Sequence, residues 1–364
     1  MTASHGVPST AAHLVVSGIG VVTPRGDRPQ DAAGTAARAA ARTAAGSPAG
    51  SPDAAPDRAG TDGWFDHRTR LGPRGYKYLP AASQYFLAAA KTALADSGHE
   101  EGRWAAELRG AAVGTNSSAA ALHEAMDRTV LDEGAAALSP VTAPYFSINL
   151  FGSRLATEHG LKAFNLTVTS PRVAGLESLE TGARAVAAGR ASWLLAGATE
   201  EALAPAHPGH ELSERGAVAL VLEPLEAVRA RGGREYGHCR VRSLFLSPRT
   251  AASPGGADRA RELIGSALAA WEADGAGAGP APAAAPRVIA VLDGSPVGRA
   301  VATALGSGAE RVPAGAGALE PLVQAAGALA ELSSPVLVVT AAAEGNLALA
   351  LLTPSAGPAA AAGA

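Results

Sequence analysis

The stretch that decides the fold runs from residue 163 to residue 196 and reads AFNLTVTSPRVAGLESLETGARAVAAGRASWLLA. Ala163 to Thr169 predicts a strand, and Ala174 to Ala188 predicts an amphipathic helix that Gly189 ends. Ser192 to Ala196 predicts a second strand with almost no polar residue. A strand, a helix and a strand at this spacing predict a βαβ unit, and continuous apolar strands indicate a sheet covered on both faces.

Further elements flank this unit on both sides. Strands are predicted at His13–Gly20, Gly110–Gly114 and Ala217–Leu222, and helices at Ala81–Ser97 and Ala119–Glu133. Residues 46–63 are rich in Gly, Ala, Ser and Pro and predict a mobile loop.

A second, shorter cycle begins near His238. It contains predicted strands at Arg240–Leu246, Val288–Leu292, Val336–Thr340 and Leu347–Leu352, and predicted helices at Asp258–Trp271 and Leu319–Leu332. Residues 276–286 predict a Gly/Ala/Pro linker. The chain therefore predicts two α/β halves, residues 13–223 and 236–353, followed by a disordered tail over residues 354–364.

Composition excludes several classes of protein. The 364 residues carry 30 Lys and Arg against 33 Asp and Glu, and a net charge of −3 gives no basic surface for nucleic acid or membrane lipid. The single cysteine, Cys239, excludes an intramolecular disulfide framework and fits a reducing compartment. No signal peptide and no apolar run of about 20 residues is visible, so we expect a soluble, cytoplasmic protein.

Four segments share their order and spacing with one known family. They are the strand and turn Val16–Pro24, the turn Gly197-Ala-Thr-Glu200, the turn, strand and helix Ser213–Gly232, and Gly345-Asn346 before the last strand. Over residues 13–353 the chain resembles the β-ketoacyl synthase family. The resemblance implies a thiolase-like α/β fold, in which two stacked α/β halves form a five-layer αβαβα arrangement around buried central helices.

The resemblance locates the position of the family's nucleophile. Active members have a Cys at the start of a buried helix, within Thr-Ala-Cys-x-x-Gly, where the helix N-terminus stabilises the thiolate. The matching stretch here, Ser170–Gly175, places Arg172 at the Cys position. A guanidinium is always protonated and is not a nucleophile, and a cation is unfavourable at a helix N-terminus. We therefore expect Arg172 to have an acidic partner, with Glu200 and Glu201 as candidates.

Active members also carry two histidines in the second half, which stabilise the enolate and the oxyanion of the condensation. The last of the nine histidines in this chain is His238. Leu292–Ser295 falls where the family has His-Gly-Thr-Gly, and Arg311–Ala316 falls where it has Lys-x-x-x-Gly-His. We therefore predict that the chain has no catalytic residues of its own.

Inactive members of this family imply a function. The resemblance suggests a chain-length factor, the catalytically degenerate partner of an active ketosynthase subunit in type II polyketide synthesis. Such a heterodimer receives a phosphopantetheine-bound acyl chain from an acyl carrier protein, without a cofactor or a metal. Many chain-length factors have Gln at the Cys position, so Arg172 favours a divergent subgroup, for example a polyene-forming one.

In chain-length factors the helix after the second strand lines the acyl tunnel. The residues predicted to face the tunnel here are mostly small, namely Ser118, Ala121, Leu122 and Ala125. Small side chains leave volume for a longer or stiffer acyl chain. Ordinary helix packing is an equally good explanation of the same residues.

Two other functions are compatible with this sequence. One is an acyltransferase, hydrolase or decarboxylase that uses Ser170, Arg172 or His210, and the other is a standalone acyl-binding homodimer. Weaker signals favour structural roles. Gly18-x-Gly20 lacks the third glycine of a dinucleotide site, and His207, His210 and Glu211 lack a second ligand cluster for a metal. Adjacent residues of a strand point to opposite faces, so Cys239 and His238 do not predict a shared site.

Overall fold

The strands of the chain assemble into two five-stranded mixed sheets in a computed structural model that describes residues 14–34, 63–98, 103–273 and 285–355. The predicted loop over residues 46–63 and the predicted linker over residues 276–286 lie almost wholly outside these ranges. Most of the predicted tail, from residue 356 onward, also lies outside them.

The two sheets have the same topology. The first contains β1 (Leu14–Val22), β2 (Arg109–Gly114), β3 (Phe164–Val168), β4 (Trp193–Glu200) and β5 (Gly216–Pro224) in the order β1-β5-β4-β2-β3. The second contains β6 (His238–Phe245), β7 (Arg287–Leu292), β8 (Glu310–Pro313), β9 (Val336–Ala341) and β10 (Asn346–Thr353) in the order β6-β10-β9-β7-β8. In each sheet the second strand along the chain runs parallel to the third and the fourth, and the other neighbours are antiparallel.

Ten α-helices of the described ranges have complete bounds. They are α1 (His67–Arg70), α2 (Ala81–Asp96), α3 (Ala120–Glu133), α4 (Leu150–His159), α5 (Ala174–Ala187), α6 (Leu225–Ala230), α7 (Pro248–Ala251), α8 (Gly256–Ala273), α9 (Pro296–Leu305) and α10 (Glu320–Ala330). The predicted strands and helices all appear, and β4 runs four residues beyond its predicted end at Ala196. The prediction lacked the short helices α1 and α7, and also α4, α9 and β8. The division into halves at residues 13–223 and 236–353 stays a prediction, although the two sheets do separate between β5 and β6.

Alternating side chains of the strands build three apolar layers. In β4, Leu194 and Ala196 point to the layer between the two sheets, whereas Trp193 and Leu195 point to the outer face. The helices α5 and α10 lie in the central layer and contact strands of both sheets. Helix α2 covers the outer face of the first sheet, and α8 and α9 cover that of the second. This five-layer αβαβα arrangement confirms the predicted fold.

The N-terminus of α5 is held by close backbone contacts. A Cβ atom on Gly114 would lie 2.2 Å from the carbonyl carbon of Ala174, and a Cβ atom on Gly175 would lie 2.6 Å from the carbonyl oxygen of Ala318. Because backbone atoms cannot move aside as side chains do, the first turn of α5 lies at one position between β2 and the loop before α10.

We predict that Gly175→Ala destabilises the protein by about 2 kcal/mol or more, since the added methyl group meets backbone. Gly265→Ala is the matched control, because Gly265 lies in α8 with open space around it. The control is expected to stabilise the protein by about 0.5–1 kcal/mol. Urea unfolding of the two variants measures both effects, and equal effects would show that α5 has room to shift.

Candidate functional site

The turn between β3 and α5 has a strained backbone at Arg172. Its φ is +60°, and Ala119 is the other non-glycine residue with a positive φ in the described ranges. This conformation costs roughly 1–2 kcal/mol for a residue with a Cβ atom. Asn116 supports it: its Oδ1 accepts the Arg172 N–H at 3.0 Å, and its Nδ2 donates to the carbonyl oxygen of Thr169 at 3.1 Å. Strained turns between a strand and a helix are where some hydrolases present a nucleophile, and here the turn presents a guanidinium.

The guanidinium of Arg172 forms an ion pair with the other half of the molecule. Its Nη2 lies 3.1 Å from Oδ2 of Asp293, and the two side chains are only 13% and 23% exposed. Asp293 follows β7, in the segment where the family resemblance places its first histidine. The expectation that Glu200 or Glu201 pairs with Arg172 was therefore wrong. Both of those carboxylates accept hydrogen bonds from backbone N–H groups instead.

The pairing of Arg172 is incomplete. Its Nε and Nη1 atoms are buried and have no hydrogen-bond partner among the described residues. Unpartnered buried N–H groups cost on the order of 1–3 kcal/mol each. The strained φ and the unpaired N–H groups show that this position is not optimised for stability.

A small cavity extends from the turn at Arg172 to Ala316. Its volume is about 260 Å³, and Arg172, Ser117, His207, Glu214, Ala316 and Glu344 are among the residues that line it. Ala316 stands where the resemblance places the second histidine, and its N–H donates to the carbonyl oxygen of Leu212 at 2.8 Å. The structure thus pairs Arg172 with Asp293 and places Arg172 and Ala316 on one cavity, although the three residues are far apart in sequence.

A buried carboxylate, Glu200, holds the loops around the cavity. Oε2 accepts the Ser117 N–H at 2.7 Å, and Oε1 accepts the N–H groups of Asn116 and Ala318 at 2.8 and 2.7 Å. Burial raises the pKa of Glu200, while these hydrogen bonds oppose the rise. Since residues 116 and 117 follow β2 and Ala318 precedes α10, this one side chain connects the two halves of the fold.

A second carboxyl group, Glu214, borders the same loop. It accepts the N–H of Leu319 at 2.8 Å, near the start of α10. Burial, together with the nearby carboxyl groups of Glu200 and Glu320, raises the pKa of Glu214 to about 8. At neutral pH the carboxyl group of Glu214 is therefore mostly protonated. The cavity carries less negative charge than the number of its glutamate side chains suggests.

The other candidate residues lie outside the cavity lining. The carbonyl oxygen of Ser170 accepts the Ala174 N–H at 3.1 Å, and Nδ1 of His210 lies 2.6 Å from the carbonyl oxygen of Leu203. Neither Ser170 nor His210 lines the cavity. Cys239 is half-buried in β6, and burial raises the pKa of its thiol to about 12, which makes it unreactive at neutral pH. His238 is buried and bonded to the carbonyl oxygen of Leu14, and Trp193 is fully buried in the core.

Sequence reasoning missed Asp293, His207 and Glu214 as parts of this site. For Asp293 a signal existed, because a carboxylate directly after a buried apolar strand lies at a sheet edge, where ligand sites of α/β proteins form. For His207 and Glu214 no local signal existed. Only the folding of the 203–214 loop over the cavity brings them to Arg172.

Residues 120–149 form a second surface next to the site, and we call this segment the arm. We call the two sheets and the helices packed on them the body. None of the α3 residues in the arm is buried, and Leu131, Val141 and Phe146 are 84%, 59% and 57% exposed. The predicted tunnel residues lie at and after its root: Ser118 is buried, Leu122 is half-buried, and Ala121 and Ala125 are exposed.

A family model and several curated relatives match the sequence of this chain. The family model for the β-ketoacyl synthase N-terminal domain matches residues 12–239. The chain belongs to the β-ketoacyl synthase family. A 3-oxoacyl-[acyl-carrier-protein] synthase 2 of Vibrio cholerae is 24% identical over 250 residues, which cover 61% of this chain and 60% of that protein. Its counterpart in Rhizobium meliloti is 28% identical over 49% of each chain, so the chain spans about half to three fifths of these relatives.

Solved structures of ketosynthases have the same fold. The ishigamide ketosynthase/chain length factor matches with a TM-score of 0.71 and 22% identity, covering 94% of this chain and 100% of that one. A type II polyketide synthase acyl-carrier protein in complex with its ketosynthase, bound to the hexaketide, contains a chain that matches with a TM-score of 0.70 and 15% identity. That match covers 94% of this chain and 99% of the other.

Within the described ranges, no helix has both the length and the apolar character needed to cross a bilayer. The same residues contain no group of three or more His, Cys, Asp or Glu side chains that could hold a metal ion.

We predict that Arg172 and Asp293 are energetically coupled across the two halves. Either single alanine variant leaves the other charge poorly solvated, so the double variant is expected to lose about 1–3 kcal/mol less than the sum of the single losses. Urea unfolding of the four proteins measures the coupling. The exposed pair Arg259 and Glu262 is the control, with about 0.5 kcal/mol or less expected. Additive losses at Arg172 and Asp293 would contradict this role.

We also predict a pH-dependent stability that depends on Glu214. Because its pKa in the folded protein is raised to about 8, the folded state keeps a proton that the unfolded chain releases. Stability should therefore fall as pH rises from about 5 to 8. A glutamine side chain does not titrate, so the free energy of unfolding of Glu214→Gln relative to wild type should improve by about 3–4 kcal/mol over that range. Urea unfolding at pH 5.5, 7 and 8.5 measures it, and a constant difference would exclude it.

Proposed function

We propose that the chain is a non-catalytic, chain-length-factor-type partner of an active β-ketoacyl-[acyl carrier protein] synthase in type II polyketide biosynthesis. The observation that carries the proposal is the ion pair between Arg172, at the family's nucleophile position, and Asp293, in the segment where the family has its first histidine. At the position of the family's second histidine, Ala316 has a methyl group that cannot donate a hydrogen bond.

The chemistry of these side chains opposes condensation. The reaction needs a thiolate that accepts the acyl group and donors that stabilise the developing enolate and oxyanion. The guanidinium of Arg172 cannot accept an acyl group, and the carboxylate of Asp293 would repel the developing negative charge. The active partner would therefore supply the cysteine and both histidines, and an acyl carrier protein would bring the phosphopantetheine-bound acyl chain. Arg172, where many chain-length factors have Gln, favours a divergent, for example polyene-forming, subgroup.

The arm supports the existence of a protein partner. A 14-residue helix without a buried residue is not stabilised by packing in the isolated chain. The exposed side chains of Leu131, Val141 and Phe146 add apolar surface to the same segment. An obligate partner would cover this surface, and interfaces of that kind bury about 2,000 Å² or more.

The proposal predicts that a complete ketosynthase, with a cysteine and two histidines, is encoded beside this chain, and it is tested by co-expression with that ketosynthase. We expect the two chains to co-purify as a heterodimer whose condensation activity requires the partner's cysteine. The same activity should survive Arg172→Ala combined with Asp293→Ala in this chain. A stable, monodisperse monomer or homodimer of this chain that ignores the ketosynthase would contradict the proposal. So would turnover of acyl thioesters by the isolated chain that is lost in Ser170→Ala.

We further predict that the exposed face of α3 at Ala121 and Ala125 forms part of the tunnel wall once the partner is bound. In the complex, Ala125→Phe should therefore shift the products to shorter acyl chains, because the ring occupies volume that the chain needs. Asp127→Phe is the matched control, since it adds the same ring on the opposite side of the helix. Mass spectrometry of the products measures the length, and the same shift in both variants would exclude a tunnel wall at Ala125.

A further inference from the structure

We infer that Glu201 is the positioning residue that sets the direction of the arm and thereby determines how well the arm binds its partner. Its effect on the arm is independent of the proposed function, and only the step to partner binding rests on it.

The carboxylate of Glu201 joins the first turns of two helices. The residue is 4% exposed and directly follows β4. Its Oε2 accepts the N–H of Ala82 in α2 at 3.0 Å, and its Oε1 accepts the N–H of Ala121 in α3 at 3.2 Å. N–H groups in the first turn of a helix have no partner within the helix, so one carboxylate satisfies donors of both. Helix α2 packs on the first sheet, whereas α3 belongs to the arm.

Few other contacts determine the direction of α3. Its root is Ala119, which is fully buried with a φ of +63° and marks where the chain leaves the body. The hydroxyl group of Ser117 accepts the N–H of Glu201 at 2.9 Å, which ties this root to the same residue. Beyond the root, Nε2 of His123 lies 2.6 Å from the carbonyl oxygen of Phe146, a contact within the arm itself. The arm next meets the core at Tyr145, whose ring packs against the cluster that includes the buried Phe151 of α4.

A small change in the direction of α3 at Ala119 produces a large displacement of its C-terminal end. A helix of 14 residues is about 21 Å long, so a pivot of about 15° moves its far end by roughly 5 Å. Complementary interfaces are packed as closely as protein interiors, and such a displacement separates their side chains. The carboxylate of Glu201 is therefore placed to control partner binding without touching the partner.

The first test is hydrogen–deuterium exchange of the isolated chain. Glu201→Gln keeps the shape of the side chain but presents one amide N–H₂ to a helix N–H, so exchange over residues 120–133 should become about tenfold faster relative to α2. Ser178→Ala is the control: it removes buried hydrogen bonds to the carbonyl oxygens of Gly175 and Gly197, away from the arm. Equal acceleration of α3 by both variants would overturn the positioning role.

A second variant removes the contact from the arm side alone. Ala121→Pro eliminates the N–H that Glu201 accepts and keeps the contact to Ala82, and proline is tolerated in the first turn of a helix. It should also accelerate exchange over α3, and unchanged exchange would overturn the inference even if Glu201→Gln fails to fold.

The second test measures the dissociation constant for the ketosynthase partner that the proposed function predicts. About tenfold weaker binding by Glu201→Gln, with Ser178→Ala unchanged, supports the full inference. Faster exchange with an unchanged dissociation constant would retain the positioning role and overturn its link to the partner. Absence of binding by the wild-type chain would instead contradict the proposed function and leave the exchange result as evidence for the positioning role.

Discussion

The hydrogen bonds to the buried carboxylate of Glu200 are the interaction on which the rest of the structure depends. Three N–H groups, of Asn116, Ser117 and Ala318, converge on it from opposite halves of the chain. Without this acceptor, those N–H groups would be buried unpaired, at a cost of on the order of 1–3 kcal/mol each. The loop that supports Arg172 and the loop that begins α10 therefore have one favourable arrangement relative to each other.

That arrangement also fixes the geometry of the turn at Arg172. Asn116 is held by Glu200 and in turn supports the strained turn at Arg172. The turn presents its side chain toward Asp293 at the end of β7. An active member would use the same geometry to place a thiolate beside histidines. In this chain the geometry places an ion pair between Arg172 and Asp293, which connects the two halves.

The consecutive residues Glu200 and Glu201 connect different parts of the structure. Glu200 connects the halves, and Glu201 connects the body to the root of the arm. Their side chains accept hydrogen bonds from different elements: Glu200 from the loop before α10, and Glu201 from the first turns of α2 and α3. A single short motif at the end of β4 thus holds both the loops around Arg172 and the surface that we assign to a partner.

The sequence by itself determined the strands and helices, because apolar periodicity is a local property: β4 and α5 are visible in residues 163–196 alone. The family resemblance of the same sequence implied that they stack in five layers. It also determined that the histidines of an active member are absent after His238. Helix α9 escaped prediction because Pro296 and the short segment before β8 resemble a loop. The partner of Arg172 was decided only by the tertiary structure. Asp293 lies 121 residues away from Arg172 in sequence, and no local pattern indicates which carboxylates are already occupied by backbone N–H groups once the chain is folded.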